Sequence, residues 1–293
     1  MNDSNPLFPW VCIEAVGEQA SASLLFEDGI KFHISSGIVE KNIKHSAGLL
    51  PLIKKLLIQR SLSFLNIKGL ILLNGPGSFT GLRIANSLVH GISSGIGCPV
   101  ISFSKFELFT FIWIVNNFEL IKKKSSFTIE IVFDARIGEY YQQNLFCERL
   151  KIKNEKNPVV LNFLNWLISP ISDPQIISHK DLKENDSCIT RLHCPLISDF
   201  NLPTFNNLEY HGMGINTLSG CTGLFALANK KNLWCNPLEI QPLYVKDKVA
   251  QTIDERKYYS ALFLTDITDE DIPMISILEK EAYSFGWSSI NFK

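Results

Sequence analysis

The most distinctive stretch of the sequence is a glycine-rich loop between an apolar run and an amphipathic segment. It reads GPGSFTGLR and contains Gly75, Pro76, Gly77, Ser78, Phe79, Thr80, Gly81, Leu82 and Arg83. Backbone N–H groups at the start of a helix can hold an anion, and a nearby arginine such as Arg83 can hold a carboxylate. The loop lacks the lysine of a P-loop, and Thr80 stands where G-x-G-x-x-G requires its third glycine. In a second interpretation, the glycines allow a tight turn and close helix packing, with Ser78 or Thr80 as the N-cap.

A second group of polar residues surrounds a short turn further along the chain. Asp134, Arg136 and Glu139 form either a salt-bridged turn or a ligand contact, and we favour the turn. The sequence contains neither an H-E-x-x-H motif nor a G-x-S-x-G elbow. We therefore predict no catalytic and no metal-binding residues.

The elements that position these residues follow from the spacing of apolar side chains. Strands are predicted at Val11–Ile13, Ser21–Phe26, Ile30–Ile34, Leu70–Leu73, Pro99–Phe103, Phe127–Phe133 and Glu139–Phe146, with a hairpin turn at Glu27–Gly29. Helices are predicted at His45–Ser61, from the loop to about Gly95, at Leu108–Val115, at Val159–Ile168 and at Gly214–Lys230, and Glu239–Val245 is predicted to be extended. Strand, loop, helix and strand in this order indicate an α/β layer with parallel pairing.

Composition and charge exclude several classes of protein. The chain has 293 residues, of which 46% are hydrophobic, and its formal net charge is -1, so there is no strongly basic field for nucleic acid. Its seven cysteines form no C-x-x-C pair, which favours reduced thiols in the cytosol. The N-terminus lacks the pattern of a signal peptide, and the longest apolar stretch is too short to cross a bilayer. We therefore expect a cytoplasmic protein that does not bind membranes and reaches RNA only through a partner.

The motif GPGSFTGLR closely resembles the GPGSFTG-hydrophobic-R signature of the TsaB (YeaZ) family. Other motifs follow in that family's order: HSAGLLP from His45 resembles H-S-x-x-L-L-P, and DARIGEYY from Asp134 resembles D-A-R-x-G-E-x-Y. QPLYV from Gln241 resembles the closing P-x-Y-x-R segment, with Lys246 where arginine is common. The resemblance covers about residues 10 to 250.

The resemblance implies an α/β fold with two actin-like, sugar-kinase-like lobes. Residues 1–105 are expected to form the N-terminal lobe with its partner-binding helices, and residues 106–250 the second lobe with a closing helix and strand. Residues 251–293 are expected to be a linker and an incomplete β-α segment, because Tyr283–Ser288 resembles the opening of RimI-type N-acetyltransferases. The acetyl-CoA loop of such enzymes comes later, so we do not expect this chain to acetylate a substrate by itself.

The resemblance also implies a function. Members of this family resemble the catalytic subunit TsaD of the tRNA threonylcarbamoyladenosine machinery and act as its non-catalytic scaffold. The catalytic relative carries His-x-x-x-His, whereas His45 is followed at that spacing by Leu49, and one histidine cannot hold a metal alone. The Ile-Asp-Thr strand end of the family reads Ile-Glu-Ala here, and Glu14 weakens any inherited magnesium-nucleotide site. We expect no cofactor, with ATP or ADP only at the partner interface; the candidate ligand contacts are Glu14, Asp134, Arg136 and Glu139.

The same resemblance assigns partner binding to the first two long helices. It implies pairing with a TsaD-like catalytic subunit, a further TsaE-like ATPase partner, and a homodimer through the same helices. Part of each helix must be ordinary core. The candidate interface residues are Leu49, Ile53, Leu56, Leu82, Ala85, Ser87, Leu88, Gly91, Ile92, Ser94 and Gly95. The alternatives are a glycoprotease-like hydrolase, a nucleotide-binding enzyme, or a degenerate product of a fused scaffold and acetyltransferase.

Overall fold

The computed structural model of the protein describes residues 8–29, 31–136, 139–150, 166–178, 190–193, 208–212, 216–228 and 234–245. The predicted linker and acetyltransferase-like segment, residues 251–293, lie outside this part of the chain. The described strands are β1 (Trp10–Glu14), β2 (Ser21–Glu27), β3 (Phe32–Ile38), β4 (Gly69–Leu73), β5 (Val100–Phe103), β6 (Ser126–Arg136), β7 (Glu139–Arg149), β8 (Trp166–Pro170), β9 (Gln175–Ser178), β10 (Thr190–His193) and β11 (Leu208–Gly212). The helices are α1 (His45–Ile58), α2 (Phe79–Ile96), α3 (Lys105–Asn116), α4 (Phe118–Ile121) and α5 (Leu218–Ala228).

The strands form two sheets. The first has the order β11-β3-β2-β1-β4-β5, in which β1, β2 and β3 make an antiparallel meander and the other neighbours pair in parallel. The second has the order β10-β6-β7-β8, and β9 also pairs with β7. Every residue of β1 and β4 is buried, which explains why these strands read as continuous apolar runs instead of alternating ones. The predicted α/β layer with parallel pairing is confirmed.

Two hydrophobic clusters lie on opposite faces of the first sheet. On one face, α1 and α2 cover the sheet with side chains such as Leu49 and Val89. On the other face, α3 and α5 lie between the first sheet and the second, so this cluster contains residues of both sheets. Buried residues follow one another without a break from Leu108 to Val115 in α3, because this helix is enclosed on all sides. None of the helices in the described ranges is long and apolar enough to cross a bilayer.

The local sequence supplies caps at both ends of α2 and at the start of α3. The Ser78 side chain accepts a hydrogen bond from the Gly81 N–H at the start of α2, and Gly97 closes that helix in the left-handed conformation at φ 72°. Ser104 and Glu107 form a reciprocal capping box at the start of α3. These caps place the helix boundaries within a few residues of the predicted ones.

One predicted helix is wrong at its C-terminal end. Trp166–Ile168, the end of the helix predicted at Val159–Ile168, belongs to strand β8, and the residues before Trp166 lie outside the described part of the chain. Trp166 and Ile168 are buried while Leu167 between them is half-buried, which is the two-residue period of a strand. Antiparallel pairing with β7 prevails over the weak helical pattern. The closing segment also differs: Pro237–Glu239 is a 3-10 turn, and the residues after it are not part of a strand.

We predict that replacing Phe225 by alanine lowers the free energy of unfolding by about 3–5 kcal/mol. The Phe225 ring on α5 lies 4.5 Å from Phe103 of β5 and 4.9 Å from Phe111 of α3, so its loss would leave a cavity between the helices and the sheet. Urea unfolding measures the change. Leu238→Ala is the control, because Leu238 is 73% exposed and its loss should change stability by less than about 0.5 kcal/mol. Equal effects of the two substitutions would contradict this packing.

Candidate partner-binding face and glycine-rich loop

The glycine-rich loop packs directly against the turn that follows β1. A Cβ atom on Gly77 would lie 2.5 Å from the Val16 carbonyl oxygen, and one on Gly81 would lie 1.8 Å from the Ala15 carbonyl oxygen. The Ser78 N–H donates a hydrogen bond to Val16 O at 3.2 Å. Since no side chain fits in either position, these two glycines are required by the close approach of two backbones, as in the packing interpretation of the loop.

Glu14 lies beneath the same turn, at the end of β1. Its side chain is enclosed, with one carboxyl oxygen accepting from Ser21 Oγ at 2.6 Å and the other from the Val16 N–H at 3.1 Å. Burial raises the pKa of Glu14 to about 7, although these hydrogen bonds and the charge of Lys105 act in the opposite direction. The carboxyl group is thus engaged inside the chain, and a ligand could reach it only if the turn moved.

Asn74, between β4 and the glycine loop, joins three parts of the structure. Its Nδ2 donates to the Gln241 carbonyl oxygen at 2.6 Å, and its Oδ1 accepts from Asn86 Nδ2 at 3.0 Å and from the Leu243 N–H at 3.4 Å. We call residues 236–245 the closing strap, because this segment contacts the loop and α2. Sequence reasoning missed Asn74, although a polar residue directly between a buried strand and a glycine loop is a signal that could have identified it.

Arg83 links the closing strap to the first turn of α2 through two contacts. Its guanidinium carbon lies 4.0 Å from the centroid of the Phe79 ring, and its Nε donates to the Tyr244 hydroxyl at 3.2 Å. The Phe79 and Tyr244 rings are 5.0 Å apart. About two turns further along α2, His90 Nε2 lies 3.2 Å from the Ile240 carbonyl oxygen. The GPGSFTGLR and QPLYV motifs, which are far apart in sequence, therefore meet in space.

Lys105 connects the glycine loop with the second sheet. Its backbone N–H donates to the Gly75 carbonyl oxygen at 2.5 Å, and its ammonium group lies 4.6 Å from the centroid of the Phe133 ring on β6. The ammonium group also lies close enough to lower the pKa of Glu14. Lys105 was not among the predicted site residues.

The polar turn at Asp134 closes the β6–β7 hairpin. The strand register shifts between Asp134 and Arg136, and Arg136 pairs with Glu139 across the strands. Asp134 is exposed, and it adds to the effect of burial in raising the pKa of Tyr140. The Arg136 side chain lies outside the described part of the structure, so the location of these residues fits the predicted turn without testing a ligand contact.

His45 is engaged at the first residue of α1. Its Nε2 lies 3.2 Å from the Glu18 carbonyl oxygen, to which it donates a hydrogen bond. This contact joins α1 to the turn after β1. It agrees with a structural role for His45.

The predicted interface residues divide into two groups. Five of them are buried in the core of the chain: Leu49, Ile53, Leu56, Leu82 and Ala85. The remaining six lie on the outer side of α2, and we call them the α2 outer face: Ser87, Leu88, Gly91, Ile92, Ser94 and Gly95. Four of the buried residues pack α1 and α2 onto one face of the first sheet, and Leu82 belongs to the cluster on the other face. Of the predicted interface residues, only the second group is therefore available to a partner in this structure.

The glycines of the α2 outer face differ from those of the loop. Among the described residues outside the neighbouring helix backbone, a Cβ atom on Gly91 or Gly95 would meet no atom within 4 Å, whereas one on Gly81 would collide with a backbone oxygen. Leu88 and Ile92 are half-buried beside these open positions. On α1, Leu50 and Ile58 are 45% and 61% exposed, which adds apolar surface on a second helix.

Comparison with known proteins shows what this chain is similar to. The model of the family described as "TsaD: tRNA N6-adenosine threonylcarbamoyltransferase" matches residues 37–155. The tRNA threonylcarbamoyladenosine biosynthesis protein TsaB of Haemophilus influenzae is 27% identical over 141 residues, which are 48% of this chain and 55% of that protein. TsaB of Escherichia coli is 29% identical over 99 residues, or 33% of this chain and 39% of that protein. The chain is thus similar to proteins named TsaB over part of their length. Its match spans about half the length of the Haemophilus relative.

Two solved structures have the same fold as this chain. YeaZ from Pseudomonas aeruginosa superposes with a TM-score of 0.53 at 15% sequence identity, covering 81% of this chain and all of that one. A second structure, of a protein with similarity to peptidase YEAZ from Pseudomonas aeruginosa, gives the same TM-score over 82% of this chain. The α/β, actin-like fold that the resemblance implied is thereby confirmed.

We predict opposite effects of alanine at two glycines of the same helix. Gly81→Ala should destabilise the chain by about 3 kcal/mol, because its Cβ would collide with the Ala15 carbonyl oxygen and the backbone would have to move. Gly91→Ala should stabilise it by about 0.5–1 kcal/mol, because an open helical position gains only helix propensity. Urea unfolding of the two variants measures both. A stable Gly81→Ala variant would show that the loop does not touch the turn after β1.

We also predict a pH dependence from Glu14. Its native pKa, about 7, is above the ordinary value of 4.5, so the native state binds the proton more tightly than the unfolded state. This contribution to stability is complete below about pH 4.5 and is lost as the pH rises through about 7, a change on the order of 3 kcal/mol. Stability measured from about pH 5 to about pH 8 should fall less steeply for Glu14→Gln, which does not titrate. Identical slopes for the two proteins would contradict the burial of a protonated Glu14.

Proposed function

We propose that this chain is a non-catalytic scaffold subunit in the biosynthesis of tRNA N6-threonylcarbamoyladenosine. In this proposal it pairs with a TsaD-like threonylcarbamoyltransferase and activates it. The relatives are named as proteins of threonylcarbamoyladenosine biosynthesis, and the matching family model is that of the threonylcarbamoyltransferase itself. A TsaE-like ATPase is a further component, and tRNA is contacted through the partner, in keeping with a net charge of -1.

The observation that carries the proposal is the open α2 outer face. A glycine inside a helix costs about 1 kcal/mol relative to alanine. At Gly81 the contact with the Ala15 carbonyl requires the glycine, but at Gly91 and Gly95 no atom from elsewhere in the described part of the chain lies within 4 Å of a Cβ position. Helix axes approach most closely where side chains at the contact are small. Close approach of a partner helix to the α2 outer face would explain why both positions are glycine, which contacts within the described chain do not explain.

The chemistry of the polar residues favours a scaffold over an enzyme. Glu14 is enclosed by Ser21 and the Val16 N–H, and His45 donates to the Glu18 carbonyl oxygen. The space beside Gly77 is filled by the Val16 backbone. The side chains nearest to an inherited nucleotide site are therefore engaged within the chain, and in our proposal the reaction takes place on the partner.

Partner binding should be lost when charge and bulk are placed on the α2 outer face. We expect Ser87→Arg and Gly91→Glu to weaken association with the TsaD-like subunit by roughly 30-fold or more, which is typical of the centre of an interface. Both positions are exposed, so the variants should fold normally. Co-purification, sizing by light scattering and the rate of threonylcarbamoyl transfer by the mixture measure the effect.

The matched control is Ser125→Arg, which introduces the same charge at an exposed serine beside the second sheet. It should leave association and transfer unchanged. Full binding by both Ser87→Arg and Gly91→Glu would remove the α2 outer face from the proposal. If the chain alone measured as a dimer that the same substitutions dissociate, the face would serve a second copy of this chain instead.

A further inference from the structure

A cluster of histidine and carboxylate side chains lies at one edge of the first sheet, where edge strand β11 pairs with β3. His33 on β3 is buried, whereas Glu209 and His211 on the edge strand β11 are half-buried. The parallel register places Glu209 directly beside His33. Because alternate residues of a strand point to the same face, Glu209 and His211 both lie on the face of His33. The two histidines are 178 residues apart in sequence, so only the fold brings them together.

The distances within the cluster are those of a metal site. His33 Nδ1 lies 3.1 Å from His211 Nε2 and 3.6 Å from a carboxylate oxygen of Glu209, and one ligand atom from each of the three residues lies within 4.8 Å of the others. Zinc binds nitrogen and oxygen ligands at about 2.0–2.2 Å, so two ligands of a tetrahedral ion are roughly 3.4 Å apart. Small shifts of these side chains would let all three coordinate one ion.

The surrounding groups orient these ligands in the manner of an outer coordination shell. The second ring nitrogen of His33, Nε2, lies 2.9 Å from a carboxylate oxygen of Asp28. The other oxygen of Asp28 accepts from the Lys31 N–H at 2.8 Å, and Lys31 Nζ lies 2.5 Å from Glu209. A metal-binding histidine usually donates its other N–H to a carboxylate, which fixes the ring and leaves the first nitrogen as the ligand.

Aromatic packing holds the central histidine in place. The Phe26 ring on β2 stacks on His33 with centroids 4.7 Å apart and an interplanar angle of 5°. Arg60 covers Phe26, with its guanidinium carbon 4.6 Å from the ring centroid. The positive charges of Lys31 and Arg60 are balanced by the carboxylates of Asp28 and Glu209.

We propose that His33, Glu209 and His211 bind one divalent cation of the zinc class. The ion would fasten edge strand β11 to β3, with Asp28 and Lys31 as outer-shell partners and a fourth position left for water. Two imidazole nitrogens and one carboxylate oxygen suit zinc better than magnesium or calcium, which prefer oxygen ligands. The site is separate from the α2 outer face, since α2 packs on the region of β4 and β1, and it does not depend on the proposed partner.

The same atoms have a metal-free arrangement, in which His211 Nε2–H donates to His33 Nδ1 and His33 Nε2–H donates to Asp28. Zinc titration distinguishes the two. We expect the full chain, freed of metal by a chelator and kept reduced, to bind one Zn²⁺ per chain in calorimetry and to unfold at a higher temperature with Zn²⁺ present.

His211→Ala and Glu209→Gln should each weaken binding at least about 10-fold and abolish the thermal shift, and Asp28→Asn should weaken binding about 10- to 100-fold. His45→Ala is the control and should bind like the unaltered chain, because His45 begins α1 and is not part of the cluster. The β11 variants are preferred to a change at His33, whose burial makes misfolding a separate cause of failure.

The chain also has seven cysteines, so the ligands themselves need to be identified. Co²⁺ in place of Zn²⁺ should give the visible bands of a nitrogen and oxygen site without the intense near-ultraviolet bands of thiolate ligands. Absence of stoichiometric binding, binding that is unchanged in His211→Ala and Glu209→Gln, or thiolate bands with Co²⁺ would each overturn the proposal.

Discussion

The close contact between the glycine loop and the turn after β1 is the constraint on which the rest of the structure depends. The Ala15 and Val16 carbonyl oxygens occupy the space that side chains at Gly81 and Gly77 would need. This contact places the first turn of α2 against the end of β1, and Ser78 caps the helix at the same point. The direction of α2, and with it the location of the α2 outer face, follows from a backbone approach that only glycine allows.

Several other contacts converge on that loop. Asn74 joins it to α2 and to the closing strap, Arg83 holds Tyr244 of the strap, and the Lys105 N–H donates to Gly75 at the start of α3. The two bonds to the closing strap connect residues that are more than 150 positions apart in sequence. A rigid loop with α2 anchored at its N-terminal end suits a protein whose proposed role is to present one side of a helix to a partner.

The sequence was sufficient for elements whose signal is local. The hairpin at Glu27–Gly29, the helices α1, α2 and α3 and the strands β1, β2 and β4 to β7 lie close to their predicted bounds, because their apolar spacing is contiguous. Strand β3 was predicted at Ile30–Ile34 but runs from Phe32 to Ile38. Strand β8 was mistaken for a helix because its pairing with β7 is decided by a distant segment. Beyond the described residues, the acetyltransferase-like segment stays a prediction.

The candidate site was harder to predict. Periodicity places Leu82 and Ala85 on the same helix as Gly91 and Gly95, but it does not distinguish the side that faces the sheet from the side that faces a partner. His33 and His211 were not predicted as site residues, because their proximity arises only from the parallel pairing of β3 with β11. Side chains that act together across distant strands leave no spacing pattern in the sequence.

Hydrogen–deuterium exchange of this chain, alone and mixed with a TsaD-like subunit, tests the scaffold account most directly. Peptides that cover α2, and those of α1 beside it, should exchange more slowly in the mixture, while peptides from β6 and β7 should exchange as in the free chain. Slower exchange confined to the second sheet, or no change anywhere in a mixture that gains threonylcarbamoyl transfer activity, would contradict the account.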